Sequence, residues 1–138
     1  VAVGGSSSRS RCPTSASVST NSPGGRGGGI RRHPAAHASG APSHALRIES
    51  GGKTLVYSGD TDWADALAEA ARGADLFICE AYFFEKRTKY HMNYRTLMEH
   101  RAALKCRRIV LTHMSADLLS RLSEVEIEPA ADGKKLFI

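Results

Sequence analysis

Two continuous apolar runs, Leu76-Phe77-Ile78-Cys79 and Ile109-Val110-Leu111, constrain this chain more than any other feature. Each has the length of a strand and lacks the apolar–polar alternation of a half-solvated one. Such runs belong to strands covered on both faces. A segment of helical spacing precedes each. Residues 63–72 put Trp63, Ala66, Leu67, Ala70 and Ala71 on one face, and Gly73 closes them. Residues 94–105 turn Leu97, Met98, Ala102 and Leu104 inward behind a candidate cap, Asn93. Earlier, residues 44–49 alternate as a half-buried strand does. Gly51-Gly52 then signals a hairpin, and residues 53–57 are its return strand. Asp62 is a candidate cap for the first helix. A short helix to about residue 122 and short strands at 125–127 and 135–138 complete the order β-β-α-β-α-β-α-β-β. Strands alternating with amphipathic helices predict an α/β layered architecture.

The formal charge of +5 is not spread over that architecture. Residues 1–32 hold Arg9, Arg11, Arg26, Arg31 and Arg32 and no acid, and the remaining 14 Lys and Arg balance 14 Asp and Glu. The basic character therefore belongs to the first 32 residues and does not imply a basic face on the folded part. Those residues are rich in Ser, Gly and Arg, with Pro13 and Pro23 and almost no large side chain to bury. They are expected to be a disordered tail (1–32), with a folded domain over 33–138. Gly24-Gly25-Arg26-Gly27-Gly28-Gly29 admits a second reading of the tail, as an RNA-binding segment. No apolar run is long enough to span a membrane. Cys12, Cys79 and Cys106 have no metal-type spacing, which suits a reducing, cytoplasmic setting.

In open α/β sheets functional groups collect beyond the carboxyl ends of the strands. Three polar residues fall at such ends: Asp60 in Tyr57-Ser58-Gly59-Asp60-Thr61, Glu80 after Cys79, and His113 after Thr112. An imidazole at the end of a buried strand has a fixed direction and is well placed as a ligand, although a lone His is more often structural. Asp60 is read equally well as a turn or cap residue. Glu80 is either an acceptor orienting a histidine or the polar end of a strand. His37 follows His33 by four residues, but Pro34 argues against a helix that would pair them on a metal. The Lys86-Arg87-Thr88-Lys89 loop suits a phosphate backbone or an ordinary solvated loop.

Taken in order, these segments resemble the C-terminal half of a metallo-β-lactamase-fold hydrolase of the ribonuclease Z-like branch. The resemblance is carried by His37-Ala38-Ser39-Gly40-Ala41-Pro42-Ser43, Ser58-Gly59-Asp60-Thr61, Ala74-Asp75-Leu76-Phe77-Ile78-Cys79-Glu80, Lys89-Tyr90-His91 and Leu111-Thr112-His113-Met114-Ser115. It covers roughly residues 36–138. It implies half of a layered αβ/βα sandwich preceded by the tail. It also implies His37, Asp60 and His113 as metal ligands, with Asp60 bridging two zinc ions; manganese or iron suits such donors too. His91 matches a histidine that contacts phosphate or protonates the leaving oxygen. The implied substrate is a phosphodiester, either a tRNA 3′ end or a cyclic nucleotide. The family's upstream His-x-His-x-Asp-His is not found in these 138 residues. Two further expectations follow: pairing with a second copy across exposed apolar surface, and, as the alternative to catalysis, a non-catalytic fragment or RNA-associated module using the Arg/Gly tail.

Overall fold

The structure is a computed structural model and describes residues 17–19, 28–35 and 43–138. Its centre is a six-stranded sheet in the order β2-β3-β4-β5-β6-β7. The strands β2 (Gly29–Ala35), β3 (Ser43–Ser50) and β4 (Lys53–Tyr57) form an antiparallel meander. From β4 onward the pairing is parallel, through β5 (Leu76–Glu80) and β6 (Ile109–Thr112) to β7 (Glu128–Pro129). The crossovers carry α1 (Asp65–Ala71), α2 (Tyr94–Leu104) and α3 (Ala116–Ser120). A separate parallel pair joins β1 (Ser17–Ser19) to β8 (Lys135–Phe137).

Both faces of β5 and β6 are covered, as their unbroken apolar sequences require. Alternate residues Phe77, Cys79 and Leu111 join Val56 of β4 under the helices, against Leu67, Ala70, Leu97, Leu104 and Leu118. The intervening Leu76 and Val110 face the other way and pack with Leu136, with Leu55, Ile78, Ala130 and Ile138 around them. Burial of each leucine stabilises the fold by roughly 1.5–3 kcal/mol. The larger cluster lies on the helical side, and it fixes the strands whose ends carry the polar residues.

The Gly51-Gly52 turn joins β3 to β4 as expected. Both glycines have positive φ, 57° and 77°, which a tight hairpin demands and glycine supplies without strain. Asn93 caps α2 by accepting from the Thr96 N–H at 2.8 Å. Asp62 does not cap α1. The helix starts later, at an N-cap Ala64 without a side-chain bond, and Asp62 instead accepts from the Trp63 N–H. The reason lies one residue upstream, where the Thr61 N–H is drawn onto Glu80 and holds the chain out of the helix.

Two strands were not anticipated. Ser17–Ser19 lies inside the stretch expected to be a tail, and Gly29–Ala35 straddles its end at residue 32. The sequence of β2 has no alternation and contains Pro34. A proline lacks the N–H a central strand must donate, but β2 is the edge of the sheet, where it is tolerated. The rest of residues 1–32, and His37 with its neighbours over 36–42, lie outside the described residues. Among the described residues no helix is long and apolar enough to cross a membrane.

Candidate metal centre

The carboxyl ends of β4, β5 and β6 lie side by side, and each delivers one polar residue. Asp60 follows β4, Glu80 closes β5 and His113 follows β6. The loop after β5 returns with His91. One ligand atom from each of Asp60, Glu80, His91 and His113 lies within 4.8 Å of those of the other three. All four had been singled out in the sequence: Asp60 and His113 as ligands, His91 in a catalytic role, and Glu80 as either an acceptor orienting a histidine or the polar end of a strand. The sequence left the partners of Glu80 open.

Glu80 organises the group. Its side chain is 1% exposed, and both oxygens are used. Oε1 accepts from the backbone N–H of Thr61 at 2.6 Å and of Met92 at 3.1 Å. This pins the Asp60 loop and the His91 loop to the end of β5. Oε2 faces Nδ1 of His91 at 3.0 Å and Nδ1 of His113 at 2.9 Å. An acceptor at Nδ1 holds the ring proton there and leaves the Nε2 lone pair for another partner. Among the described residues, neither Nε2 has a hydrogen bond or ion pair.

The backbone is shaped for this arrangement. His113 has φ of 54°, in the left-handed region that a non-glycine residue adopts only when its surroundings impose it. Gly59 has φ of 66°, and a Cβ there would meet the His44 carbonyl oxygen at 3.2 Å. Glycine thus lets the β4 loop pass close to β3. On the same side the Ser43 hydroxyl donates to the Asp60 carbonyl at 3.0 Å. Thr88 bridges to His91, and Tyr90 between them has φ of 74°, so His91 stands at the end of a tight turn.

Electrostatically the cluster is acidic and short of cations. Asp60 is half exposed, with His113 Nδ1 3.2 Å from its Oδ1. Among the described residues no Lys or Arg forms an ion pair with Asp60 or Glu80. Burial, reinforced by these two carboxylates, pushes the Tyr57 hydroxyl above its ordinary range. Two imidazoles with free Nε2 atoms and a half-exposed carboxylate form a donor set that fits a borderline-soft divalent ion.

The family model of the beta-lactamase superfamily domain matches residues 11–114. The chain belongs to that superfamily. Among relatives, the protein ML1173 of Mycobacterium leprae is 40% identical over 76 residues, which are 52% of this chain and 27% of that one. The ribonuclease Z of Methanosarcina acetivorans is 35% identical over 102 residues, 70% of this chain and 32% of the relative. The chain therefore spans about a third or less of the length of these relatives. Among solved structures, the metallo-beta-lactamase fold protein YhfI from Bacillus subtilis superposes with a TM-score of 0.64 at 24% identity. That superposition takes in 78% of this chain and 48% of YhfI. The fold is thus the metallo-β-lactamase fold, and the match starting at residue 11 reaches into the segment that had been set aside as a tail.

Proposed function

We propose that this chain forms part of a metal-dependent hydrolase that cleaves phosphodiesters. One observation carries the reading: Asp60, Glu80, His91 and His113 converge within 4.8 Å at the carboxyl ends of neighbouring strands. In this reading Asp60 and His113 are metal ligands, and His37 joins them. His37 lies outside the described residues. The strands flanking its segment are paired, Ala35 with Ser43, and Ser43 is bonded to Asp60. Zinc is the metal the donor set favours, with manganese or iron as alternatives. Bound there, it supplies a Lewis acid and an acidified water.

The remaining chemistry belongs to the side chains. Glu80 keeps the protons of both histidines on Nδ1. His113 thereby presents a lone pair at Nε2, as a ligand must. His91 presents the same atom in a half-buried position, where it can hold a proton and pass it to the leaving oxygen of a phosphodiester. A positioned imidazole of this kind contributes about 10²–10⁴-fold. Asp60, half exposed and without a Lys or Arg partner among the described residues, can share its oxygens with cations. The ribonuclease Z relatives favour a nucleic-acid phosphodiester over a carbonyl substrate, with a tRNA 3′ end or a cyclic nucleotide as the two candidates. A cytoplasmic setting accords with Cys79 and Cys106, both free thiols.

The test is hydrolysis of bis(p-nitrophenyl) phosphate by protein supplied with zinc or manganese. Turnover that needs metal and is lost in His113→Ala is expected. Metal-independent turnover, or an active His113→Ala protein, would overturn the assignment.

A further inference from the structure

Tyr82 is absorbed by none of the roles above, yet it touches both histidines. Its ring lies 4.9 Å from that of His91, nearly parallel at 27°, and 5.0 Å from that of His113 at 53°. The two imidazoles are themselves 5.2 Å apart at 65°. The three rings thus form an almost equilateral triangle. Phe83 packs edge-on against Tyr82, with centroids 4.8 Å apart. The backbone of Tyr82 is fixed at both ends. Its N–H donates to the Met92 carbonyl at 2.8 Å, and its carbonyl accepts from the Ser115 N–H at 2.9 Å. Tyr82 is therefore tied to the residue after His91 and to the second residue after His113.

The Glu80 bonds constrain each imidazole along one edge only. A ring held by a single Nδ1 bond can still swing about the line of that bond, which carries Nε2 through an arc. A flat side chain against the ring face removes that freedom. Aromatic pairs at these separations contribute roughly 0.5–1.5 kcal/mol beyond the area they bury, enough to select one ring orientation. The Tyr82 hydroxyl makes no hydrogen bond among the described residues, so the ring and not the oxygen makes these contacts.

We propose that Tyr82 is a positioning residue: its ring face fixes the two imidazoles relative to each other, and so sets where Nε2 of His91 stands with respect to Nε2 of His113. This rests on the functional reading above for its consequence in catalysis, but the positioning itself is a property of the metal-free protein. The backbone gives a reason to place such a brace here. His91 sits at the end of a tight turn and His113 in a left-handed residue, so their backbones approach the site from unrelated directions. A single residue bonded to both loops is the simplest way to keep their rings in register.

The experiment compares wild type with Tyr82→Phe and Tyr82→Leu. Proton and nitrogen-15 spectra of labelled histidines in metal-free protein report the contacts between the His91 and His113 rings. Wild type and Tyr82→Phe are expected to show the same ring-to-ring contacts. Tyr82→Leu is expected to lose or average those contacts while Glu80 keeps the proton on Nδ1, and zinc affinity or kcat should be lower by roughly 10- to 100-fold, with KM little changed. Wild-type spectra and zinc affinity in Tyr82→Leu would overturn the proposal. So would a Tyr82→Phe protein as impaired as Tyr82→Leu, because the hydroxyl would then be the active group. Should Tyr82→Leu not fold, Tyr82→Met is read by the same criteria. If neither folds, Tyr82 is a packing residue and the proposal fails. A wild type that takes up no zinc defeats the functional reading instead, and the ring-contact spectra still decide the role of Tyr82.

Discussion

The two ends of the parallel strands handle charge in opposite ways. At the amino end Asp75 and Glu128 each meet a cation. Asp75 lies 3.1 Å from Arg107, and Glu128 lies 2.8 Å from Arg108 and 2.7 Å from Lys134. At the carboxyl end, among the described residues, the ionisable partners of Asp60 and Glu80 are imidazoles. Charge balanced internally stabilises a fold and asks nothing of solution. Two carboxylates sharing two histidines leave a surplus of negative charge and free nitrogen lone pairs, which a bound cation satisfies. In the proposed reading one end of the sheet is closed and the other takes a ligand.

Substitutions at the two ends should therefore differ in kind. Glu80→Ala is expected to be the most damaging. It removes the 2.6 Å acceptor of the Thr61 N–H and one of the two acceptors of the Met92 N–H, which keeps the Thr61 carbonyl at 3.0 Å, and it frees both histidines. A cost of roughly 2–5 kcal/mol follows, read as a lower unfolding midpoint in urea, together with loss of zinc uptake. Glu80→Gln keeps the shape but offers an N–H where an acceptor is needed. A loss of roughly 10- to 100-fold in metal affinity is expected, with a smaller effect on stability. If Glu80→Gln binds zinc as wild type does, Glu80 is only a structural acceptor.

His91→Ala divides the site itself. Metal uptake should survive, since His91 is assigned to the proton and not to the ion. The turnover of bis(p-nitrophenyl) phosphate should fall about 10²–10⁴-fold. Loss of zinc together with turnover would make His91 a ligand instead.

At the closed end Glu128→Gln should cost no more than about 1 kcal/mol, because the group is partly solvated and its pairing is screened. The bond from Lys134, followed by those from Arg108, holds the Glu128 carboxyl below its ordinary value of 4.5. A lowered folded-state pKa gives stability that is present above the unfolded value and lost as pH falls through the folded one. The difference between wild type and Glu128→Gln should therefore be constant near neutrality and vanish as the pH is taken below about 4.5. Zinc uptake should be untouched. A change in uptake on this substitution would remove the distinction between the two ends.

The sheet from β3 to β6 was legible because its strands announce themselves. β5 and β6 are unbroken apolar runs, and β3 and β4 flank a pair of glycines. Asp60 and His113 were placed in the sequence as polar residues following strands, and the structure brings both into one cluster. β2 was not, because Arg31-Arg32-His33-Pro34 carries no periodicity and the strand gains its order from pairing with β3. Glu80 was visible as a residue but not as the centre of the site. Its four partners come from sequence distances of 11 to 33 residues, which only the packed loops bring together. Tyr82 gave no signal at all, since its place between two rings depends on the orientation of both. The late start of α1 is of the same kind: a long-range bond to Glu80 outweighed a local cap.

The most direct measurement is zinc uptake by the metal-free protein, followed by titration and by metal analysis after gel filtration, for wild type, Asp60→Ala and His113→Ala. The account predicts that wild type retains zinc, that each single substitution weakens retention, and that the double substitution abolishes it while the fold persists. Equal zinc retention in wild type and the doubly substituted protein, or none in either, would contradict a metal role for the carboxyl end of this sheet.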